Sequence, residues 1–353
     1  MTSLFDPFKV RGLVFANRAW VSPMCQYSCL DGVIGPWHKQ HLGALVAGRP
    51  GLLMMEATGI SPEARISIGC TGIWNSQQVS SYREIIEFSH SQGVPIGIQL
   101  VHSGRKGSTM PTWSDYEVAT VEDGSWQTVA PSPIPLKGYP IPRELSTSEI
   151  ASIIDDFGDA ARRAVSAGFD LIELHAAYGY LIHQFLSPIS NRRGDEYGGD
   201  FSGRTRLICE IVQNIRQEIP SEMPLLVRIS AQDWVEGGWS LQESVKLVTL
   251  LKDFGVDLVD IVSGGIVEGA WGESFEGFQV PFSAEIRAST GIKTAVGGSI
   301  SDPKYADEVI RNGYADALMI GAAMLRNPHW PLIAAETLGI LTPWPSQYVR
   351  ARK

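Results

Sequence analysis

Eight short runs of β-favouring apolar residues recur along the chain, each followed by a stretch suited to a helix. They are Ala19–Met24, Gly51–Thr58, Val94–His102, Phe169–Ala177, Pro224–Ser230, Val256–Gly264, Ile292–Gly297 and Ala315–Gly321. Most are nearly continuous rather than alternating, the pattern of parallel strands covered on both faces. Amphipathic segments lie between them, among them Ser76–Gln92, Ser146–Ala167, Arg204–Ile219, Leu241–Phe254 and Asp302–Asn312. Gly93, Gly168, Gly255 and Gly313 follow four of these, where a left-handed helix C-cap favours glycine. Ser148 and the run Ser301-Asp302-Pro303 offer N-caps at helix starts, the second with proline in the first turn. Strand and helix alternating at this spacing imply right-handed crossovers. Eight such units predict an α/β fold, a (β/α)8 TIM barrel occupying residues 1–353 as a single domain.

Two segments exceed a minimal barrel. Phe8–Phe15 places two short apolar runs around Arg11-Gly12 and reads as a β-hairpin ahead of the first strand, plugging the barrel bottom. The connection from Ser103 to about Leu145, after the third strand, is rich in proline and carries Trp113 and Trp126. A loop this long in a compact fold is usually functional, commonly a lid over the site.

Charge and cysteine content narrow the function classes. A net charge of −9 argues against a nucleic-acid partner, which needs a basic face. Cys25, Cys29, Cys70 and Cys209 form no C-x-x-C pair and suit a reduced, cytoplasmic protein. Asp6, Lys9 and Arg11 stand where a signal peptide would be apolar, and no run is long enough to span a membrane. No metal site is expected, and the expected partner is a small-molecule substrate.

In a barrel of parallel strands, the residues at the strand C-terminal ends face the ligand. Here those ends carry Ser22-Pro23-Met24-Cys25-Gln26-Tyr27, then Glu56-Ala57-Thr58, then Gln99 and His102 before Gly104-Arg105-Lys106. The fourth end is Glu173–Tyr180, ELHAAYGY, where an imidazole and two phenols arrive together. Such a group can bind an oxyanion and deliver a proton, although His175 alone could equally anchor a turn. The fifth end gives Arg228, and the last three give Ser263-Gly264-Gly265, Gly297-Gly298-Ser299 and Gly321-Ala322. Glycines there let backbone N–H groups approach a phosphate, which TIM barrels commonly bind after strands seven and eight. A phosphate-bearing cofactor would then extend toward Cys25, Gln99 and Arg228. A flavin suits them: an amide matches its donor–acceptor edge, and a guanidinium stabilises the charge of reduction. The alternative for Arg228 is a salt bridge in the barrel core, to Glu56 or Glu173.

The motifs SPMCQYS at Ser22–Ser28, EATGISPEARIS at Glu56–Ser67, GIQLVHSGRKGS at Gly97–Ser108, ELHAAYGYLIHQFLSPISNRRGDEYGG at Glu173–Gly199 and VRIS at Val227–Ser230 form a specific set. Together they resemble the Old Yellow Enzyme family of FMN-dependent ene reductases, in its thermophilic-like class, nearly end to end. The resemblance implies that Ser22, Pro23, Met24, Cys25, Ala57, Gln99 and Arg228 line the flavin ring, with Cys25 tuning its potential. It implies that Tyr27 and Lys106 reach the substrate pocket, that His175 holds the oxygen of an activated alkene, and that Tyr180 supplies the proton. NADPH or NADH would reduce the flavin first. Arg350, near the C-terminus, matches an arginine that enters a neighbouring subunit's site, implying a homodimer or dimer of dimers. The chain departs from the family at Tyr178, where a second His or Asn is usual, and at Ala322, where an arginine on the phosphate is usual. Two other readings stay open: a flavin dehydrogenase or desaturase working oxidatively, and a non-catalytic ligand-binding barrel with weakened FMN affinity.

Overall fold

The computed structural model describes residues 2–352. A hairpin of β1 (Phe8–Val10) and β2 (Leu13–Phe15) comes first, followed by β3 (Ala19–Val21), β4 (Leu52–Gly59) and β5 (Ile96–Val101). A small pair, β6 (Val129–Ala130) and β7 (Arg143–Glu144), lies within the long connection. Then come β8 (Leu171–Ala176), β9 (Leu225–Ser230), β10 (Leu258–Val262), β11 (Lys293–Val296) and β12 (Ala317–Ile320). The helices are α1 (Pro36–Ala47), α2 (Ser76–Ser91), α3 (Thr147–Ala167), α4 (Leu181–Leu186) and α5 (Phe201–Glu218). They continue with α6 (Leu241–Asp253), α7 (Val280–Thr290), α8 (Pro303–Arg311), α9 (Ala322–Arg326) and α10 (Trp330–Thr337).

Strands β3, β4, β5, β8, β9, β10, β11 and β12 close into one barrel in chain order, every neighbouring pair parallel. All eight expected strands are present, so the chain folds as a (β/α)8 barrel. The four expected helix-ending glycines all take positive φ, from 69° to 102°. One cap differs from expectation. Helix α3 is capped by Ser146, not Ser148, because Ser146 forms a reciprocal capping box with Glu149. Among the described residues no helix is long and apolar enough to cross a membrane.

Alternate residues of each strand point inward, so the lumen is layered. At the bottom, Trp20, Leu52, Met54, Leu171, Leu226 and Leu258 pack with Phe8, Val10 and Phe15 of the hairpin, which plugs the barrel as expected. One step higher the inward residues are Gln99, Glu173, Arg228 and Asp260; register pairs Gln99 with Glu173, and Arg228 with Asp260 and His175. One step higher again stands His175. Apolar residues on the outward strand faces pack beneath the helices and form the main core.

The long connection after β5 is tied to the barrel by buried arginines. Arg105 donates to Ile134 O at 2.9 Å and Ile266 O at 2.6 Å, while Arg193 donates to Pro131 O at 3.0 Å and Leu145 O at 2.6 Å. A proline-rich segment cannot satisfy its carbonyls within a ladder of its own, so fixed guanidinium donors do so.

Candidate active site

The turn after β8 carries Tyr178 and Tyr180, and its conformation is fixed from several sides. Tyr178 and Gly179 both have positive φ, 54° and 76°. A Cβ on Gly179 would reach Gly265 O at 2.2 Å, so glycine is required there. Gly179 N–H donates to His183 Nδ1 at 2.8 Å, which leaves the His183 proton on Nε2, 2.8 Å from buried Asp233. Tyr178 N–H donates to Ser230 Oγ at 3.0 Å, and Lys106 Nζ donates to Tyr178 O at 2.8 Å. His183 and Asp233 thus position the turn. Sequence reasoning missed them because their pairing spans 50 residues.

His175 is buried between the two tyrosines this turn presents. Its ring lies 4.8 Å from Tyr180 at 88° and 6.1 Å from Tyr178 at 70°. Ala177 N–H donates to His175 Nδ1 at 3.3 Å, so the ring proton sits on Nε2, free to donate. Burial first, then the charges of Arg228 and Lys106, holds the His175 pKa well below the ordinary value. The imidazole is therefore a neutral donor at pH 7. Tyr180 is held protonated, its pKa raised by burial and then by nearby Cys25 and Tyr27. Burial likewise raises the Tyr178 pKa.

Arg228 sits below this group at the mouth of the lumen. It pairs with Asp260 at 2.5 Å and Glu173 at 3.7 Å, and donates to Ser22 Oγ at 3.1 Å. The core salt bridge considered for Arg228 exists, with Glu173 and Asp260 as partners; Glu56 pairs instead with His38 at 3.0 Å. Burial opposes the Arg228 charge, but the two carboxylates more than offset it. Glu173 is raised, by burial and then by Asp260, as expected where two carboxylates share one guanidinium. Gln99 Nε2 donates to Glu173 at 2.7 Å, joining this layer.

A cavity of about 310 Å³ opens above Arg228, lined also by Ser22, Tyr178, Gln279, Gly297, Gly298 and, farther out, Ser299, Gly321, Ala322 and Arg326. A Cβ on Gly321 would stand 3.5 Å from Met24 Sδ and narrow it. Glu173 Oε2 and Asp260 Oδ1, beside Arg228, are buried without hydrogen-bond partners, as is Ser263 Oγ just past β10. A fixed cation, unpaired polar atoms and bare glycine backbone fit a phosphate-bearing, amide-edged group such as FMN. Gly264 contributes differently, since its N–H is already donated to Gln232 O at 2.8 Å.

The remaining expected residues surround this cavity. Ser22, Pro23, Met24, Cys25 and Tyr27 form one half-buried run after β3, and Ala57 lies beside Cys25 on β4. Tyr27, Lys106, Tyr139 and Tyr180 line a second cavity of about 510 Å³ beneath the long connection. Lys106, Tyr178, Tyr180, Ser263, Trp271 and Gln279 line a third of about 460 Å³. Tyr180 and Lys106 stand at the junction of the last two. Arg350 does not join them: it is exposed on the C-terminal turn Ser346–Ala351.

Comparison with known proteins agrees with this geometry. Residues 3–339 match the NADH:flavin oxidoreductase / NADH oxidase family. The chain is 43% identical to an NADPH dehydrogenase of Geobacillus thermodenitrificans over 99% of this chain and 98% of that one. It is 41% identical to an NADH:flavin oxidoreductase of Gibberella zeae, over 96% and 86%. Morphinone reductase in complex with tetrahydroNAD superposes with a TM-score of 0.80 at 27% identity, covering 99% of this chain and 94% of that one. The old yellow enzyme homologue from Zymomonas mobilis gives 0.79 at 28%, covering 99% and 96%. A closed barrel whose mouth combines Arg228, bare glycine backbone and the His175–Tyr180 pair, matched along its length by these proteins, places the chain in the NADH:flavin oxidoreductase / NADH oxidase family, as an Old Yellow Enzyme-like flavin oxidoreductase that uses FMN and NAD(P)H.

Proposed function

We propose that this enzyme reduces activated C=C bonds, those conjugated to a carbonyl or nitro group. The observation that carries this reading is the neutral His175 standing edge-on to a protonated Tyr180 at 4.8 Å. His175 Nε2–H donates to the substrate oxygen and stabilises the enolate-like charge that gathers there. The Tyr180 hydroxyl delivers a proton to the α-carbon. FMN reduced by NAD(P)H would supply the hydride for the β-carbon. Ser22, Arg228 and Gln99, with Pro23, Met24, Cys25 and Ala57 alongside, would hold the ring; the backbone of Gly297, Gly298, Gly321 and Ala322 would hold the phosphate. Ser263 and Gly264 flank it. Tyr27, Tyr178 and Lys106 shape the substrate end.

The same reading assigns Arg350 to the site of a second copy, in a homodimer or dimer of dimers, and the free cysteines suit a cytoplasmic setting. The test is the Tyr180→Phe variant in stopped-flow. Flavin reduction by NAD(P)H should persist while reoxidation by an enone slows by about 10²–10⁴-fold. An unchanged enone trace overturns the assignment, and Tyr178→Phe serves as the control for the neighbouring phenol.

A further inference from the structure

The loop after β10 brings an aromatic corner to the substrate end of the site. Gly264 and Gly265, at φ of 73° and 97°, form its seam. A Cβ on Gly265 would stand 2.6 Å from Tyr178 Cα, and one on Gly264 would stand 2.7 Å from Ala270 O and 3.3 Å from Trp271 Cα. Only bare glycine lets these stretches of backbone close on each other, and the closure draws Trp271 up to Tyr178. The two rings end 6.2 Å apart, tilted by 52°. With Tyr180 and Phe278 they line the cavity of about 460 Å³. Trp271 remains 42% exposed, which leaves apolar surface for a ligand to cover. Lys106 Nζ lies 5.5 Å from the Trp271 ring centre and 5.3 Å from that of Tyr180.

We propose that this corner is a subsite for an aryl substituent, so that the substrates are arylalkenes conjugated to a carbonyl or nitro group. This rests on the reading above that His175 holds the substrate oxygen and Tyr180 serves the α-carbon. The cavity shares Tyr178 and Tyr180 with that group, so a substituent leaving the alkene enters it directly. A ring set into a tilted corner meets one wall by its face and the other by its edge, the arrangements that the aromatic quadrupole favours. Lys106 decides between an arene and an alkyl group of equal size. An arene face attracts the ammonium, whereas an alkyl group only strips water from it.

The probes are trans-β-nitrostyrene and the cyclohexyl analogue of the same nitroalkene, which differ in the ring alone. Titrated into oxidised holoenzyme, where no hydride is available, each reports its Kd through the flavin absorbance. Trp271→Leu should weaken nitrostyrene about two- to tenfold more than the cyclohexyl compound, the worth of one aromatic contact. Trp271→Phe, which keeps a ring in the corner, should restore most of that difference. In turnover the same ratio should appear in KM rather than in kcat, since the subsite holds ground state and transition state alike. Equal losses for the two ligands, or no loss for either, overturn the aryl subsite. Failure of the ene-reductase reading looks different: flavin reduced by NADPH is then reoxidised neither by nitrostyrene nor by cyclohexenone, which carries no aryl group. The substrate class falls with that outcome, whatever the Kd values.

Discussion

Lys106 Nζ donates to the backbone carbonyl of Tyr178 at 2.8 Å, joining the loop after β5 to the turn that carries both tyrosines. The same ammonium donates to Gly265 O at 3.3 Å and lies 5.3 Å from the Tyr180 ring centre. Burial, then Arg105, lowers its pKa to about 8. The folded value lies below the ordinary lysine value of about 10.4, so Lys106 is charged below about pH 8 and neutral above it. In the proposed role of Tyr180 as proton donor, a cation here would stabilise the phenolate it becomes. Reoxidation of the flavin by an enone should therefore slow as pH rises through about 8, on the order of tenfold. In Lys106→Met that step should already be slow and should lose this inflection. Stability has its own sign: between about pH 8 and 10.4 the unfolded chain holds a proton that the folded one lacks, so stability rises with pH across that window. Stopped-flow and urea titrations over pH 6.5–10.5 check both.

Tyr178 stands 6.1 Å from His175 and brings a phenol where a second imidazole would stand. A phenolate ligand therefore meets one ring N–H, from His175, where a His pair would offer two. Tyr178→His should tighten binding of a phenol such as p-hydroxybenzaldehyde by about ten- to hundredfold, the worth of one charge-assisted hydrogen bond of roughly 1.5–3 kcal/mol. The charge-transfer absorbance of the bound flavin reports the titration. Coincident curves for the two proteins would show that Tyr178 already supplies an equivalent donor.

The parts of this site legible in the sequence are those set by local pattern. Strand ends follow from apolar runs, and ELHAAYGY announces His175, Tyr178 and Tyr180 by residue type alone. The hairpin plug was legible because two short apolar runs flank Arg11-Gly12. What escaped notice depends on register. Asp260 sits inside an apolar strand, and only the pairing of β10 with β9 sets it beside Arg228. Strands β6 and β7 are two residues each, too short for a period.

His102, at the end of β5, is a second buried neutral imidazole. It accepts Gly104 N–H on Nδ1 at 3.1 Å, and burial lowers its pKa to about 4. The folded value lies below the unfolded one, so between pH 6.5 and about 4 the unfolded chain binds a proton that the folded chain refuses. Stability falls as pH falls through that window, by about 3 kcal/mol for this one group at 1.36 kcal/mol per pH unit. His102→Asn, whose amide oxygen can accept the same N–H, should show a urea stability profile flatter by about one proton. A profile that parallels the unmodified protein would place the acid sensitivity elsewhere, with His175 the next group to examine.

Ala322 leaves the outer end of the 310 Å³ cavity without a charged contact on the strand end itself. The expected phosphate donors are backbone N–H groups of Gly297–Ser299 and Gly321–Ala322, including the first N–H groups of α9, which have no partner within the helix. These are neutral donors, and a guanidinium would add a bidentate, charged contact. Arg326, one turn along α9, lines the same cavity and is the cation placed to compensate. Protein purified without added FMN should be partly apo, and Ala322→Arg should raise both FMN occupancy and Tm, since a ligand bound only by the folded state stabilises it. Arg326→Ala should lower both. The measurement is flavin released on denaturation per chain after identical dialysis of the three proteins. Full occupancy that survives Arg326→Ala and gains nothing from Ala322→Arg would show that backbone donors alone hold the phosphate.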